Sequence, residues 1–185
     1  MILSRAFIFF ILYFFSTNSI AAEKFKILNK LNSIENIQFN FTQQTNEKVE
    51  KGKCILVFPN KLKCNYEDKN KKELIINKKM MAITQKRYGK TLFYPLSKST
   101  FVNILSKNEL IRVINESDIT INKYFTVIFI NKDNSKTLIR FDKENFLLAG
   151  WVSSDQYNNK IIFEVDIISV NQIINDKIFT LPNRG

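Results

Sequence analysis

The sequence predicts a mainly β fold with α segments: one large curved antiparallel sheet or open barrel, with helices laid against it. Three observations carry this. Short segments alternate apolar and polar residues at the two-residue period of a strand, with turn residues about every eight to ten positions. Two stretches switch to helical spacing. Apolar and aromatic side chains sit on both faces of several strands, so that surface has to be covered by the protein or by a ligand.

At the N-terminus, Arg5 gives a positive start, Ala6 to Phe15 form an unbroken apolar run, and Ser19-Ile20-Ala21-Ala22 offers small residues for cleavage. This pattern is that of a secretory signal peptide. The run is well short of the roughly twenty residues that span a bilayer. Residues 1–22 are therefore expected to be removed, leaving 23–185 as a single domain in the periplasm of a Gram-negative source. No Leu-x-x-Cys pattern lies near the cleavage region, so no lipid is expected on the mature N-terminus.

Glu23 to Ile34 places Phe25, Ile27, Leu28, Leu31 and Ile34 at helical spacing, with Asn32-Ser33 ending the helix. Ile37, Phe39 and Phe41 then alternate with Gln38, Asn40 and Thr42 as a strand. Gly52 to Tyr66 reads as a hairpin with Phe58-Pro59-Asn60 as its loop. That loop opposes Val57 to Lys61, Leu56 to Leu62, and Cys54 to Cys64, stacking apolar residues on one side and facing the thiols across the strands. In an oxidising compartment two opposed cysteines pair; the competing reading is two buried free thiols used as small hydrophobes.

Further strands follow at Glu73 to Asn77, Met80 to Lys86 and Thr91 to Tyr94, with turns at Lys78-Lys79 and Tyr88-Gly89-Lys90. Phe101, Ile104 and Leu105 return to helical spacing after Ser99-Thr100, and Leu110, Ile111 and Ile114 continue as a second short helix. Strands resume at Tyr124 to Asn131, Lys136 to Asp142, Phe146 to Ser153 and Lys160 to Val170. Ile173, Ile174, Phe179 and Leu181 close the chain before Pro182.

The absence of histidine removes the usual general base, the usual zinc ligand and every Ser-His or Cys-His nucleophile. Two cysteines ten apart do not have metal-ligand spacing, and four glycines form no phosphate-cradling loop. Asp142, Asp155 and Asp166 are the carboxylates on which an acid/base pair would rest. Asp142 and Asp155 fall in turns, where Asp serves the backbone. A binding protein without catalytic residue, metal or cofactor is expected, rather than an enzyme.

Without residues 1–22 the chain holds 27 basic and 17 acidic residues. Such a balance suggests nucleic acid, anionic lipid or an acidic protein surface as partner. The opposing reading is compositional, lysines scattered among Asn and Ile as an AT-rich coding sequence produces. Lys86-Arg87-Tyr88 and Lys90 interleave basic and aromatic residues, as single-strand binders do, but secretion argues against nucleic acid and the segment reads equally as a turn.

Four ordered segments resemble the LolA family of periplasmic outer-membrane lipoprotein carriers. They are the opening helix with Ile37-Gln38-Phe39-Asn40-Phe41-Thr42-Gln43; the Gly52 to Tyr66 hairpin with Pro59 at its tip; Pro95 to Leu105; and Ile139 to Asp155, with Phe141-Asp142, Leu148-Ala149-Gly150-Trp151 and Asp155, followed by Ile162 and Asn171 to Pro182. The resemblance implies an incomplete antiparallel β-barrel of about 11 strands, with helices as a lid over a hydrophobic cavity. It implies a monomeric carrier that takes acyl chains of lipoproteins from an inner-membrane ABC-type exporter and delivers them to an outer-membrane receptor. Another envelope lipid or glycolipid shuttle, or a lipid sensor on the same fold, is the alternative.

The residues expected to line the cavity are Phe39, Phe41, Leu56, Phe58, Leu62, Tyr66, Phe93, Phe101, Leu105, Val127, Phe129, Phe141, Trp151 and Phe163. Two positions depart from the family. Phe58 stands where members commonly have Arg, so the lid has to be held by other groups or by packing. Cys64 replaces an aromatic residue usual on the return strand.

Overall fold

The computed structural model describes residues 17–98, 104–130, 136–155 and 157–183. Its framework is one 11-stranded sheet in the order β6-β5-β4-β3-β2-β1-β11-β10-β9-β8-β7, every neighbouring pair antiparallel. The first meander contains β1 (Asn36–Thr45), β2 (Lys48–Val57), β3 (Lys61–Tyr66), β4 (Lys72–Asn77), β5 (Met80–Gln85) and β6 (Lys90–Pro95). The second contains β7 (Ile119–Ile121), β8 (Phe125–Ile130), β9 (Lys136–Phe141), β10 (Leu148–Ser154) and β11 (Lys160–Val170). The β1–β11 pair stitches the two meanders together, and β6 and β7 remain unpaired edges, so the sheet is open.

The hairpin register is the expected one, with Val57 opposite Lys61, Leu56 opposite Leu62 and Cys54 opposite Cys64. Because alternate residues occupy opposite faces, this register propagates across the first meander. Ile37, Leu56, Leu62, Ile76, Met81 and Tyr94 form one row, and Phe39, Cys54, Cys64, Leu74, Ile83 and Leu92 the next. The same face continues in the second meander through Phe163, Trp151, Ile139, Val127 and Ile119.

Helix α1 (Thr17–Asn32) spans the segment read as a cleavage site and buries Ile27 and Leu31, with Ile34 just beyond its end. Phe25, expected on its apolar face, instead points outward and is exposed. Helix α2 (Lys107–Glu116) begins at a side-chain N-cap: the Ser106 hydroxyl accepts from the Glu109 N–H at 3.3 Å, satisfying one of the free donors of the first turn. Its Leu110, Val113 and Ile114 stripe is buried. The helix expected around Phe101 to Leu105 is not present in its described part, where Ile104 and Leu105 lie in a turn; Phe101 lies outside the described residues. Strand β7 carries too few residues to show an alternation and was not expected from the sequence.

After β11 the chain crosses to the outer face. Asn171 clamps the α1–β1 junction: its side chain accepts from the Glu35 N–H and donates to the Ser33 carbonyl, both at 2.8 Å. Asn36 exchanges side-chain hydrogen bonds with the Gln172 backbone, at 2.9 Å each. A 3-10 turn at Asp176–Phe179 then packs on β3 and β4 and buries Phe179 completely.

Candidate functional site

The concave face is apolar along the two rows that begin at Ile37 and Phe39, and its centre is aromatic. Trp151 stacks on Phe163 with centroids 4.0 Å apart, Phe163 on Phe41 at 5.1 Å, and Phe41 meets Tyr66 edge-on at 4.9 Å. This chain of rings crosses the β1–β11 seam and ties both meanders to one surface. Gly52 makes the crossing feasible. It pairs between Phe41 and Tyr66, and a Cβ there would lie 2.8 Å from the Phe41 ring and 2.2 Å from the Asn65 carbonyl oxygen.

Cys54 and Cys64 lie beside these rings on the same face, joined as a disulfide between β2 and β3 with Cα atoms 4.1 Å apart. Tyr66, at the end of the aromatic chain, carries Lys72 Nζ 3.7 Å from its ring centroid. Burial pushes the Tyr66 hydroxyl pKa up, and the Glu50 and Asp68 charges push it further, so it stays a neutral phenol. Burial also works against the Glu50 carboxylate. Hydrogen bonds and charge from Lys72 and Lys48 outweigh it and hold Glu50 below the ordinary carboxylate range.

Of the connection between the meanders, the described residues 96–98 and 104–116 bury Leu96, Ile104, Leu105, Leu110, Val113 and Ile114 in the core that the sheet forms. Together with α1 they form a lid. The Asn60 N–H at the hairpin tip donates to the Leu105 carbonyl at 3.1 Å, and the Leu96 N–H donates to the Lys79 carbonyl at 2.8 Å. Lys107 Nζ stands 5.5 Å from the Phe58 ring centroid, so Phe58 contributes a cation–π and packing contact at the position where a charged side chain was missing. The two helices also hold each other: Lys107 donates to the Asn32 carbonyl and Lys24 to the Asn115 carbonyl, each at a helix C-terminus where cations are favoured.

Closure is tight. Two apolar voids remain beneath the lid, of about 20 and 10 Å³, each with room for about one water molecule. Phe58, Leu110 and Phe141 line the first; Phe39, Leu56, Leu62, Leu105, Trp151 and Phe163 line the second. A more polar groove of about 530 Å³ opens where β10 parts from β11. It shares Leu147, Leu148 and Ile167 with the lining of the larger void.

The structure gathers Phe39, Phe41, Leu56, Leu62, Leu105, Val127, Phe129, Phe141, Trp151 and Phe163 into the one core, with Phe58 and Tyr66 half-buried at its margin. Phe93 is a correction. It pairs with Ala82 in the row of Ile75, Lys63 and Ile55, and so lies on the opposite face; Leu92 and Tyr94 take the inner positions. Carrying the Cys54–Cys64 register forward strand by strand identifies that face. Reasoning from single aromatics also passed over Phe125, Ile139 and Leu148, and the helix residues Ile27, Leu31 and Leu110, which complete the interior.

Two of the three candidate carboxylates serve turns, and the third, Asp166, lies within β11 and accepts from the Asn40 side-chain amide at 3.4 Å. Asp142 accepts from the Glu144 and Asn145 N–H groups at 2.9 and 3.0 Å, and Asp155 from those of Tyr157 and Asn159 at 2.8 and 2.9 Å. The Asn159 side-chain hydrogen bond, against slight desolvation, holds Asp155 below its ordinary pKa. Among the described residues no cluster of metal-ligating side chains occurs, and no helix is long and apolar enough to cross a membrane.

No curated protein sequence matches the chain. Among solved structures, an uncharacterized conserved protein from Thermus thermophilus superposes with a TM-score of 0.53 at 8% identity, covering 84% of this chain and 92% of that one, which shows a shared fold. A LolA superfamily protein from Nitrosomonas europaea (TM-score 0.45, 10% identity, 84% and 96% covered) and lipoprotein LppX from Mycobacterium tuberculosis (0.46, 8%, 86% and 99%) score too low to add weight. The family model described as outer membrane lipoprotein carrier protein LolA matches residues 16–182, nearly the whole length, and the chain belongs to the LolA family.

Proposed function

We propose that this protein is a periplasmic carrier that holds the acyl chains of lipoproteins against its concave face, receiving them from an inner-membrane ABC-type exporter and passing them to an outer-membrane receptor. What carries the reading is an aromatic-lined apolar face sealed by a separate lid, in a chain of this family. The N-terminal residues 1–22 supply export.

Among the described residues, the two voids beneath the lid, of about 20 and 10 Å³, are too small for an acyl chain, so loading there requires the lid to lift. Its buried side chains, Leu105, Leu110, Val113 and Ile114 above all, occupy the space a cargo would take. They act as an internal competitor: each cargo methylene buried gains about 0.8 kcal/mol, and each lid residue expelled loses a comparable apolar burial. Cargo is therefore held reversibly, as a shuttle requires, and a receptor that offers a better apolar surface draws it off while the lid closes behind it. The Asn60–Leu105 hydrogen bond and the Lys107–Phe58 contact are the groups that open first, because they join the lid to the hairpin rim.

The test is the ligand. Protein purified from the periplasm of a Gram-negative host, analysed by mass spectrometry, is expected to carry acylated lipoprotein. Added to spheroplasts, it is expected to release newly made lipoprotein into the medium. Recovery of free lipid or glycolipid with no lipoprotein, and no release activity, would replace this reading with a lipid shuttle on the same fold.

A further inference from the structure

The positive charge of this chain is not scattered. Residues 47–98, the segment from the β1–β2 turn to the lid, hold 14 basic and 5 acidic residues, whereas residues 99–185 hold ten of each. Nine of the eleven net positive charges therefore belong to β2–β6 and their turns, about half of the sheet. A composition bias acting on the gene as a whole does not produce that partition.

Within this half the fold concentrates the charge further. The β3–β4 and β5–β6 turns lie side by side, the Arg87 N–H donating to the Asn70 carbonyl at 3.2 Å and the Lys86 N–H reaching the Lys71 carbonyl at 3.5 Å. This brings Lys69, Lys71, Lys86, Arg87 and Lys90 to one end of the sheet, all exposed. Glu73 engages Lys86 and Lys63, and Asp68 turns inward to accept from the Lys72 N–H. Lys69, Lys71, Arg87 and Lys90 make no ion pair among the described residues. Amid these cations stands one exposed ring, Tyr88 (62% exposed), on the turn.

We propose that this basic tip docks the protein on an anionic phospholipid surface, with Lys69, Lys71, Arg87 and Lys90 meeting headgroup phosphates while Tyr88 enters the interface. The combination selects a membrane over an acidic protein. An aromatic ring with a polar end, flanked by cations and raised on a turn, matches the headgroup boundary, where Tyr is favoured and each nearby cation adds attraction to anionic lipid. The tip lies away from the β2–β3 hairpin rim and its contact with the lid, so docking leaves the lid free to move. A carrier that exchanges cargo at membranes gains residence time there without a protein receptor.

Docking is measured by flotation with vesicles and no acyl cargo, so its outcome is independent of the carrier reading. The protein is expected to float with vesicles of phosphatidylglycerol and phosphatidylethanolamine, not with phosphatidylcholine alone, and to be released as salt shortens the screening length. The triple variant Lys69→Glu, Arg87→Glu, Lys90→Glu is expected to lose partitioning by about a hundredfold, and Tyr88→Ala by about fivefold. Lys123→Glu, Lys136→Glu, Lys160→Glu changes net charge equally on the other meander and is expected to leave binding within about twofold of the parent protein. Equal loss in both triple variants, equal flotation with both vesicle types, or capture by immobilised polyglutamate without any flotation would overturn the proposal, the last in favour of an acidic protein partner. Circular dichroism of both variants fixes the fold as unchanged.

Discussion

The two meanders of this sheet share a concave face but divide the remaining work. The first is a run of hairpins with short turns, cross-linked by Cys54–Cys64 and bearing most of the net charge. The second is electrically balanced, carries a register shift between Leu148 and Gly150, and brings Phe125, Phe141, Trp151 and Phe163 to the interior. The β1–β11 seam joins them, and the lid is the covalent link between their outer edges. The half that contributes most rings to the interior is thus not the half that presents charge to a partner. An apolar face and a surface charge pattern can change independently when a sheet separates them.

Phe163 sits where this division is most vulnerable, stacked on Trp151 from its own meander and on Phe41 from β1. Phe163→Ala is expected to cost about 4 kcal/mol in denaturant unfolding. It should lower hydrogen-exchange protection in both meanders together if they form one cooperative sheet; protection lost in the second alone would separate them into two units. Trp151 is the single tryptophan, so its emission reports the same event.

Reducing the Cys54–Cys64 bridge sharpens the comparison from the other side. Released from its cross-link, the loop between residues ten apart regains disorder in the unfolded chain, and stability is expected to fall by about 3 kcal/mol. The first meander should show it first, by exchange of β2 and β3 amides. An unchanged unfolding midpoint with and without reductant would remove the bridge as a stabiliser.

Acid should also act more strongly on the first meander, where lysines hold down two carboxylates, than on the second, where Asp155 is held down by turn hydrogen bonds. Burial raises the Glu73 pKa, but hydrogen bonds from Lys86 and Lys63 hold it below the ordinary value of 4.5, as Lys72 and Lys48 do for Glu50. A depressed folded-state pKa means that the unfolded chain binds more protons in this range. The stabilisation is therefore complete above the ordinary value and is lost as pH falls below it through the depressed pKa. Glu50→Gln with Glu73→Gln is expected to lower stability at neutral pH by about 1–2 kcal/mol and to flatten the acid limb of a pH–stability curve.

The smallest effect belongs to the rim. Lys107→Met removes the cation over Phe58 and the hydrogen bond to the Asn32 carbonyl. About 0.5–1 kcal/mol of lid closure should be lost. Overall unfolding should hardly move, while amides of 104–116 exchange faster and a fluorescent fatty acid enters several-fold sooner. Unchanged exchange there would mean that packing alone holds the lid.

Much of the fold was legible in the sequence for a local reason. Leu62, Cys64 and Tyr66 alternate with Lys61, Lys63 and Asn65, and a three-residue loop fixes what each one faces, so the hairpin register followed from neighbours in the chain. Strand β11 was equally readable over its full length, Lys160–Val170. Phe93 was misplaced because an aromatic side chain at an edge strand has no local marker of its face. Its partner Ala82 settles that, and the pairing depends on two preceding turns. Asn60 was legible as a turn residue, whereas its N–H donating to Leu105 joins positions far apart in the chain and has no local signal.

The sequence by itself determined the alternation, the turns, the opposed cysteines and the family motifs, because each depends on contacts within a few residues. Only the tertiary structure decided that the concave side chains and the lid fill one another's space, and that two lysine-rich turns come together at one tip. Those facts depend on which strands become neighbours and how far the sheet curves, and both are set by the packing of the whole interior.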